Sequence, residues 1–183
     1  RELVATHYPG TRLAITEYNF GALNHINGAL AQADVLGVFG REGLDLATLW
    51  APPEPWAGDL GLFADKPAAY AFRMYRNFDG AGGRFGDTSV ASSSADQGQL
   101  SIYGSIDSSG DGSLKIIVIN KTDTPLTSSV AIGGFTPAGP VKVYRYGSAN
   151  LGTIERDTLT VAGGAVTTTF AAQSITLLHV AGR

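Results

Sequence analysis

Glu17 ends the first apolar run of this chain, within Arg12-Leu13-Ala14-Ile15-Thr16-Glu17-Tyr18-Asn19-Phe20-Gly21. The residues before it belong in a buried sheet and those after it belong in a turn, so the spacing puts a carboxylate at a strand end. Trp50 closes the next short apolar run, Leu44-Asp45-Leu46-Ala47-Thr48-Leu49-Trp50. A carboxylate near an indole suits carbohydrate chemistry. The acid attacks or stabilises an oxocarbenium-like centre, and the flat ring stacks on the apolar face of a sugar. Each residue also has a plainer reading: Glu17 as a salt-bridge partner or turn acceptor, Trp50 as a core or interface aromatic.

The elements around these residues follow from periodicity. Leu13-Ala14-Ile15, bounded by Pro9-Gly10 and Asn19-Phe20-Gly21, reads as a strand buried on both faces. From Ile26 to about Phe39 the positions Ile26, Leu30, Ala33, Leu36 and Gly37 recur at helical spacing, with Asn24 or Asn27 as cap and Gly40 as stop. The second short run, ending at Trp50, predicts another strand. Asp65 before Lys66-Pro67 opens a further helix, with Ala68, Ala69, Phe72, Tyr75 and Phe78 as its stripe and Asp79-Gly80 as its end. Strand, helix, strand, long loop, helix is a βαβα unit of parallel type. In an eight-stranded barrel of such units, catalytic groups sit at the C-terminal strand ends, the position Glu17 and Trp50 would share.

After Gly80-Ala81-Gly82-Gly83 the period changes to two. Strands are predicted at 100–103, 114–120, 130–132, 141–146, 159–161, 166–170 and 175–180, separated by turns such as Ser109-Gly110-Asp111-Gly112 and Gly163-Gly164. Seven runs in about a hundred residues argue for an antiparallel sandwich. The expected class is therefore α/β over residues 1–85 followed by an all-β sandwich over 86–183. The sandwich loops bring no convergent His, Asp and Glu, so no catalysis is expected there.

Composition narrows the function. Charged residues are 16% of 183, below the roughly 25% of an average domain, and 24 glycines favour turns and short strands. A net charge of −3 offers no basic footprint for nucleic acid or for an anionic membrane. No apolar run approaches the ~20 residues of a membrane helix. The absence of cysteine removes disulfides, zinc-thiolate sites and thiol nucleophiles. His7, His25 and His179 are scattered without ligand spacing, and a metal-dependent enzyme is disfavoured. Asp107, Asp111 and Gly112 leave open a structural calcium ion in a turn, beside the plainer reading of a solvated hairpin. The chain opens on Arg1 with Leu3-Val4-Ala5 already apolar, which suggests the downstream part of a longer polypeptide.

Four segments carry a resemblance: Ile15-Thr16-Glu17-Tyr18-Asn19-Phe20-Gly21; Asn24-His25-Ile26; Ala31 to Gly43; and Leu46-Ala47-Thr48-Leu49-Trp50. In that order and spacing they closely resemble the end of the catalytic barrel of glycoside hydrolase family 44, retaining endo-β-1,4-glucanases and xyloglucanases. The likeness covers roughly the first eighty residues and continues more weakly through Leu114 to Lys121, which is similar to the β-sandwich that follows that barrel.

The resemblance implies that residues 1–85 are the last two βα units, strands 7 and 8, of a (β/α)8 TIM barrel. Glu17 would be the nucleophile and Trp50 the platform at the subsite of cleavage. Tyr18 would either reach the cleft or, by strand alternation, turn away from it. His25, with Asn24, would hold the nucleophile or a sugar hydroxyl, unless the pair simply caps a helix. Trp56, in the stiff Pro52-Pro53-Glu54-Pro55-Trp56 loop, would line a long cleft or pack under its own loop. The family's proton donor comes from an earlier strand within an Asn-Glu-Pro motif, and none occurs in this chain. The expected partners are thus a β-glucan polysaccharide and an upstream barrel segment, because two strands close no barrel. No cofactor is expected, and a secreted, extracellular bacterial setting is implied by the resemblance alone. The rival reading is a non-catalytic carbohydrate-binding or structural sandwich, with Trp56, Tyr103, Tyr144 and Tyr146 as a sugar platform; strand tyrosines more often pack between strands.

Overall fold

The computed structural model describes residues 1–51 and 65–183. Its first part runs α1 (Glu2–His7), β1 (Ala14–Tyr18), α2 (Ile26–Glu42), β2 (Leu46–Leu49) and α3 (Pro67–Arg76). β1 and β2 pair in parallel, as the strand-helix-strand order predicts. α1 was not foreseen: the apolar opening residues form a short helix that buries nothing. α2 runs past Gly40 and closes on Gly43, whose N–H reaches the carbonyls of Gly40 and Phe39. Its N-cap is His25 rather than an asparagine.

The remainder is antiparallel: β3 (Thr88–Val90), β4 (Leu100–Ile106), β5 (Leu114–Asn120), β6 (Leu126–Ala131), β7 (Val141–Gly147), β8 (Asn150–Leu159), β9 (Ala165–Phe170) and β10 (Ser174–Val180). Six of these strands form one sheet in the order β3-β4-β5-β10-β7-β8, and β6 and β9 form a second. β5 and β10 lie at the centre of the large sheet, and every residue of β5 is buried. That accounts for its continuous Leu-Lys-Ile-Ile-Val-Ile-Asn composition, since a strand covered on both faces has no polar face to alternate with. Of the predicted strand at 159–161 only Leu159 lies in a strand, as the last residue of β8. β8 is mostly exposed and carries Glu155, Arg156 and Asp157, as suits an edge strand, so the alternation that marks half-buried strands is missing.

Layers stack in the order β1/β2, α2/α3, six-stranded sheet, two-stranded sheet. Between the helices and the large sheet lies one core, where Leu30, Met74 and Tyr75 meet Ile117, Ile175 and Leu177. Between the two sheets lies a second, where Val130, Val166 and Phe170 meet Val118, Val143 and Leu178. Each fully buried side chain of this size contributes about 1.5–3 kcal/mol. The three tyrosines of the rival sugar platform belong to the first core, not the surface. Tyr146 stacks on Tyr70 at 4.6 Å, Tyr144 packs against Phe78, and Tyr103 is 5% exposed. Under α2 and α3 they face protein, so none can present a ring to a polysaccharide.

Polar contacts lock the layers in register. The Asp34 carboxylate of α2 accepts from the Ser101 hydroxyl (2.6 Å), the Tyr103 hydroxyl (2.8 Å) and the Lys121 ammonium (3.0 Å). Gly37 lets α2 lie directly on the sheet: a Cβ there would stand 2.3 Å from the Tyr103 ring.

Candidate active site

β1 is tied to β2 at both ends. At the start, the Leu13 N–H donates to the Asp45 carboxylate (2.9 Å) and the Asp45 N–H donates back to the Leu13 carbonyl (3.1 Å). At the finish, the Trp50 N–H donates to the Tyr18 carbonyl (2.8 Å). Asn19 completes the junction: its amide donates to the Trp50 carbonyl (2.7 Å) and its side-chain oxygen accepts from the Gly21 N–H (2.6 Å). The second bond is an Asx-type turn, which ends the strand where the chain must leave it.

Between these ends the register slips. Ile15 pairs with Ala47 and Tyr18 with Leu49, three steps on β1 against two on β2. The extra residue makes a β-bulge, and Thr48 donates its hydroxyl to the Thr16 carbonyl within it. Ile15 and Tyr18, three apart, are both half-buried, while Thr16 and Glu17 are left exposed side by side. Glu17 has no hydrogen-bond or ion-pair partner among the described residues, so the salt-bridge reading does not hold within them. Trp50, 51% exposed, follows β2 beside the end of β1, and Leu46 on the same strand is equally exposed. The two residues singled out for chemistry thus end adjacent parallel strands.

Tyr18 goes the other way. Its hydroxyl accepts a hydrogen bond from the Gln32 amide (2.8 Å), and its ring meets Phe39 edge-on at 5.3 Å. Burial raises its pKa, partly offset by the bond from Gln32. Of the two alternatives for Tyr18, the geometry gives the one turned onto α2. His25 is likewise occupied: its Nδ1 accepts from the Asn27 N–H at 3.2 Å and caps α2. Trp56 and Glu54 lie outside the described residues.

The loop after β1 is anchored on both helices. The His25 N–H donates to the Ala22 carbonyl (2.9 Å), and the Ala68 N–H at the start of α3 donates to the Leu23 carbonyl (3.1 Å). Gly28 permits this, because a Cβ there would lie 2.0 Å from the Ala22 oxygen. Asn19, Gln32 and Thr48, which hold the strand end in place, escaped the sequence reading. Only Asn19 left a signal, as an Asn two residues before a Gly.

In the sandwich, the Asp107 and Asp111 turn is filled by a side chain of the protein. The Lys115 ammonium, nearly fully buried, donates to Asp107 at 2.9 Å and lies 3.5 Å from Asp111. The Ser113 hydroxyl and N–H hold the Asp111 carboxyl down to about 2. No cluster of three or more metal-ligating side chains occurs among the described residues.

No family model matches the chain. It is 37% identical over 149 residues to a β-mannanase/endoglucanase A of Caldicellulosiruptor saccharolyticus, covering 75% of this chain and 10% of that protein. Among solved structures, a bifunctional glucanase-xylanase from a metagenome library superposes with a TM-score of 0.89 at 40% identity, covering 100% of this chain and 33% of that one. A Paenibacillus polymyxa xyloglucanase from glycoside hydrolase family 44 superposes with a TM-score of 0.88 at 28% identity, covering 100% and 34%. The chain therefore spans about a third of the length of these structures and a tenth of that curated relative.

Proposed function

Since this chain is a relative of the family 44 glycoside hydrolases and spans about a third of their length, we propose that it supplies the nucleophile half of a retaining endo-β-1,4-glucanase active site. The carrying observation is Glu17: a carboxylate with no partner among the described residues, turned out by a bulge at the C-terminal end of a parallel strand, with exposed Trp50 following the neighbouring strand. On this reading β1, α2, β2 and α3 are the last two βα units of a (β/α)8 barrel. Upstream strands cover the open face that now exposes Leu46 and Trp50.

The Glu17 carboxylate attacks the anomeric carbon as the bond to the leaving oxygen breaks, giving a glycosyl ester. The proton for that oxygen comes from a second carboxyl about 5–5.5 Å away, carried by the upstream segment. Water then cleaves the ester, and the same second group takes its proton. Two carboxyl groups and water suffice, with no cofactor. The Trp50 indole stacks on a sugar ring at the point of cleavage. The substrate is a plant β-glucan such as cellulose or xyloglucan, with xylan as a lesser one. A polymer of that size cannot enter a cell, so the enzyme works outside it.

In the full-length enzyme, Glu17→Gln removes the nucleophile while keeping its shape. Hydrolysis of xyloglucan and carboxymethylcellulose should fall by more than about 10³-fold with an unchanged melting temperature. Near-normal turnover by that variant would overturn the assignment.

A further inference from the structure

β2 ends at Leu49, so strand pairing no longer fixes Trp50, one residue beyond it. What fixes it comes from the strand that carries Glu17. The Thr48 hydroxyl donates to the Thr16 carbonyl and the Trp50 N–H to the Tyr18 carbonyl (2.8 Å), so the two carbonyls that flank Glu17 in sequence are both tied to the 48–50 segment. The Trp50 carbonyl is held from residue 19: the Asn19 amide donates to it at 2.7 Å. Among the described residues Asn19 is the one hydrogen-bond donor to that carbonyl.

Asn19 can hold Trp50 because its own other end is fixed. Its side-chain oxygen accepts from the Gly21 N–H at 2.6 Å, and Gly21 stands at φ +76°, where glycine is at ease. Ala22 follows at φ +49°, and its carbonyl accepts from the His25 N–H at 2.9 Å. A residue with a Cβ persists there only where the surrounding contacts over-determine the backbone. With an N–H to accept from on one side and a carbonyl to donate to on the other, the amide has one usable orientation of its two. It therefore sets one orientation for the peptide that follows Trp50, and with it the direction from which the indole leaves the chain.

We propose that Asn19 is a positioning residue for substrate binding: through the Trp50 carbonyl it fixes the indole relative to Glu17, and so sets how well a sugar ring of the β-glucan stacks at the point of cleavage. Asn19 acts through Trp50 and not on the sugar. Stacking energy depends on ring geometry, and a binding group carried slightly out of place forfeits much of its effect. The inference rests on the proposed roles of Glu17 and Trp50, and its test separates failure of the one from failure of the other.

The test is a double-mutant cycle in the full-length enzyme with xyloglucan as substrate. Asn19→Ala should raise KM about 2–10-fold, the range expected for Trp50→Ala, with kcat changed by less than about threefold. In a Trp50→Ala background the same substitution should add less than about twofold, because the residue it acts through is gone. Asn19→Ser keeps an acceptor for the Gly21 N–H but stops short of the Trp50 carbonyl, so its KM should rise as that of Asn19→Ala does. An Asn19→Ser enzyme with the wild-type KM, or an Asn19→Ala effect that multiplies in full onto Trp50→Ala, would overturn the proposal and leave the role of Trp50 standing. A Trp50→Ala enzyme with unaltered KM would overturn both.

Discussion

At the scale of single residues, the bulge in β1 decides which of two adjacent side chains can do chemistry. It sends Glu17 to the open face and leaves Tyr18 on α2, where Gln32, 2% exposed, donates to its hydroxyl. The two neighbours of Glu17 in the site should therefore respond differently to mutation in the full-length enzyme. Trp50→Ala removes a stacking surface worth about 0.5–1.5 kcal/mol and should raise KM for xyloglucan about 2–10-fold. Tyr18→Phe strands the buried Gln32 amide and should cost about 1–3 kcal/mol of stability in a denaturant titration, with KM unaltered. A Tyr18→Phe enzyme whose KM rises as much as that of Trp50→Ala would place the hydroxyl in the cleft after all.

At the scale of elements, α2 is the intermediary, holding β1 through Tyr18 and the sandwich through Asp34 and Gly37. Gly37→Ala gains about 1 kcal/mol of helix propensity but drives a methyl into the Tyr103 ring. The net effect should be a loss of about 1–3 kcal/mol, visible as a lower denaturation midpoint; a stabilised protein would mean that α2 is not seated as described. The elements the sequence betrayed are those with one strong local cause: β5 and β10 with their dense aliphatic residues, α2 with its 3.6 period, the strand end at Glu17. What stayed hidden depends on tertiary context. The β1 bulge arises from register against a strand some thirty residues away, β8 is an edge strand with too few buried positions to alternate, and His25 caps α2 where asparagine was the stronger expectation. For tyrosines 103, 144 and 146 packing was the stronger reading of the two, but periodicity says which residues share a face, not what covers that face, so α2 and α3 as their cover could not be read from it.

For the whole molecule, the large sheet works as a spine, covered by helices on one side and by β6/β9 on the other, with charges buried at one end. His179, on central strand β10, is pushed below the ordinary imidazole pKa by burial first and Lys115 second, with Asp111 opposing. Below 6.5 the unfolded chain takes up a proton that the folded one resists, so stability should climb with pH through the window ending at 6.5 and level off above it. Asp111 adds a second loss of stability as pH falls from 3.8 toward about 2. His179→Gln should flatten the upper window alone, as read from denaturation midpoints at pH 4 to 8; a wild-type midpoint that declines from pH 5 to 7 would contradict this sign. If the proton donor comes from the upstream segment, as proposed, the 183-residue chain expressed by itself falls short by about 10²–10⁴ in rate and should show no measurable xyloglucan hydrolysis. On the proposed mechanism the glycosyl ester forms on Glu17 and on no other carboxylate. Treating the full-length enzyme with a 2-deoxy-2-fluoro cello-oligosaccharide bearing an activated leaving group, followed by peptide mass spectrometry, should find the sugar on Glu17. A label on any other carboxylate would contradict it.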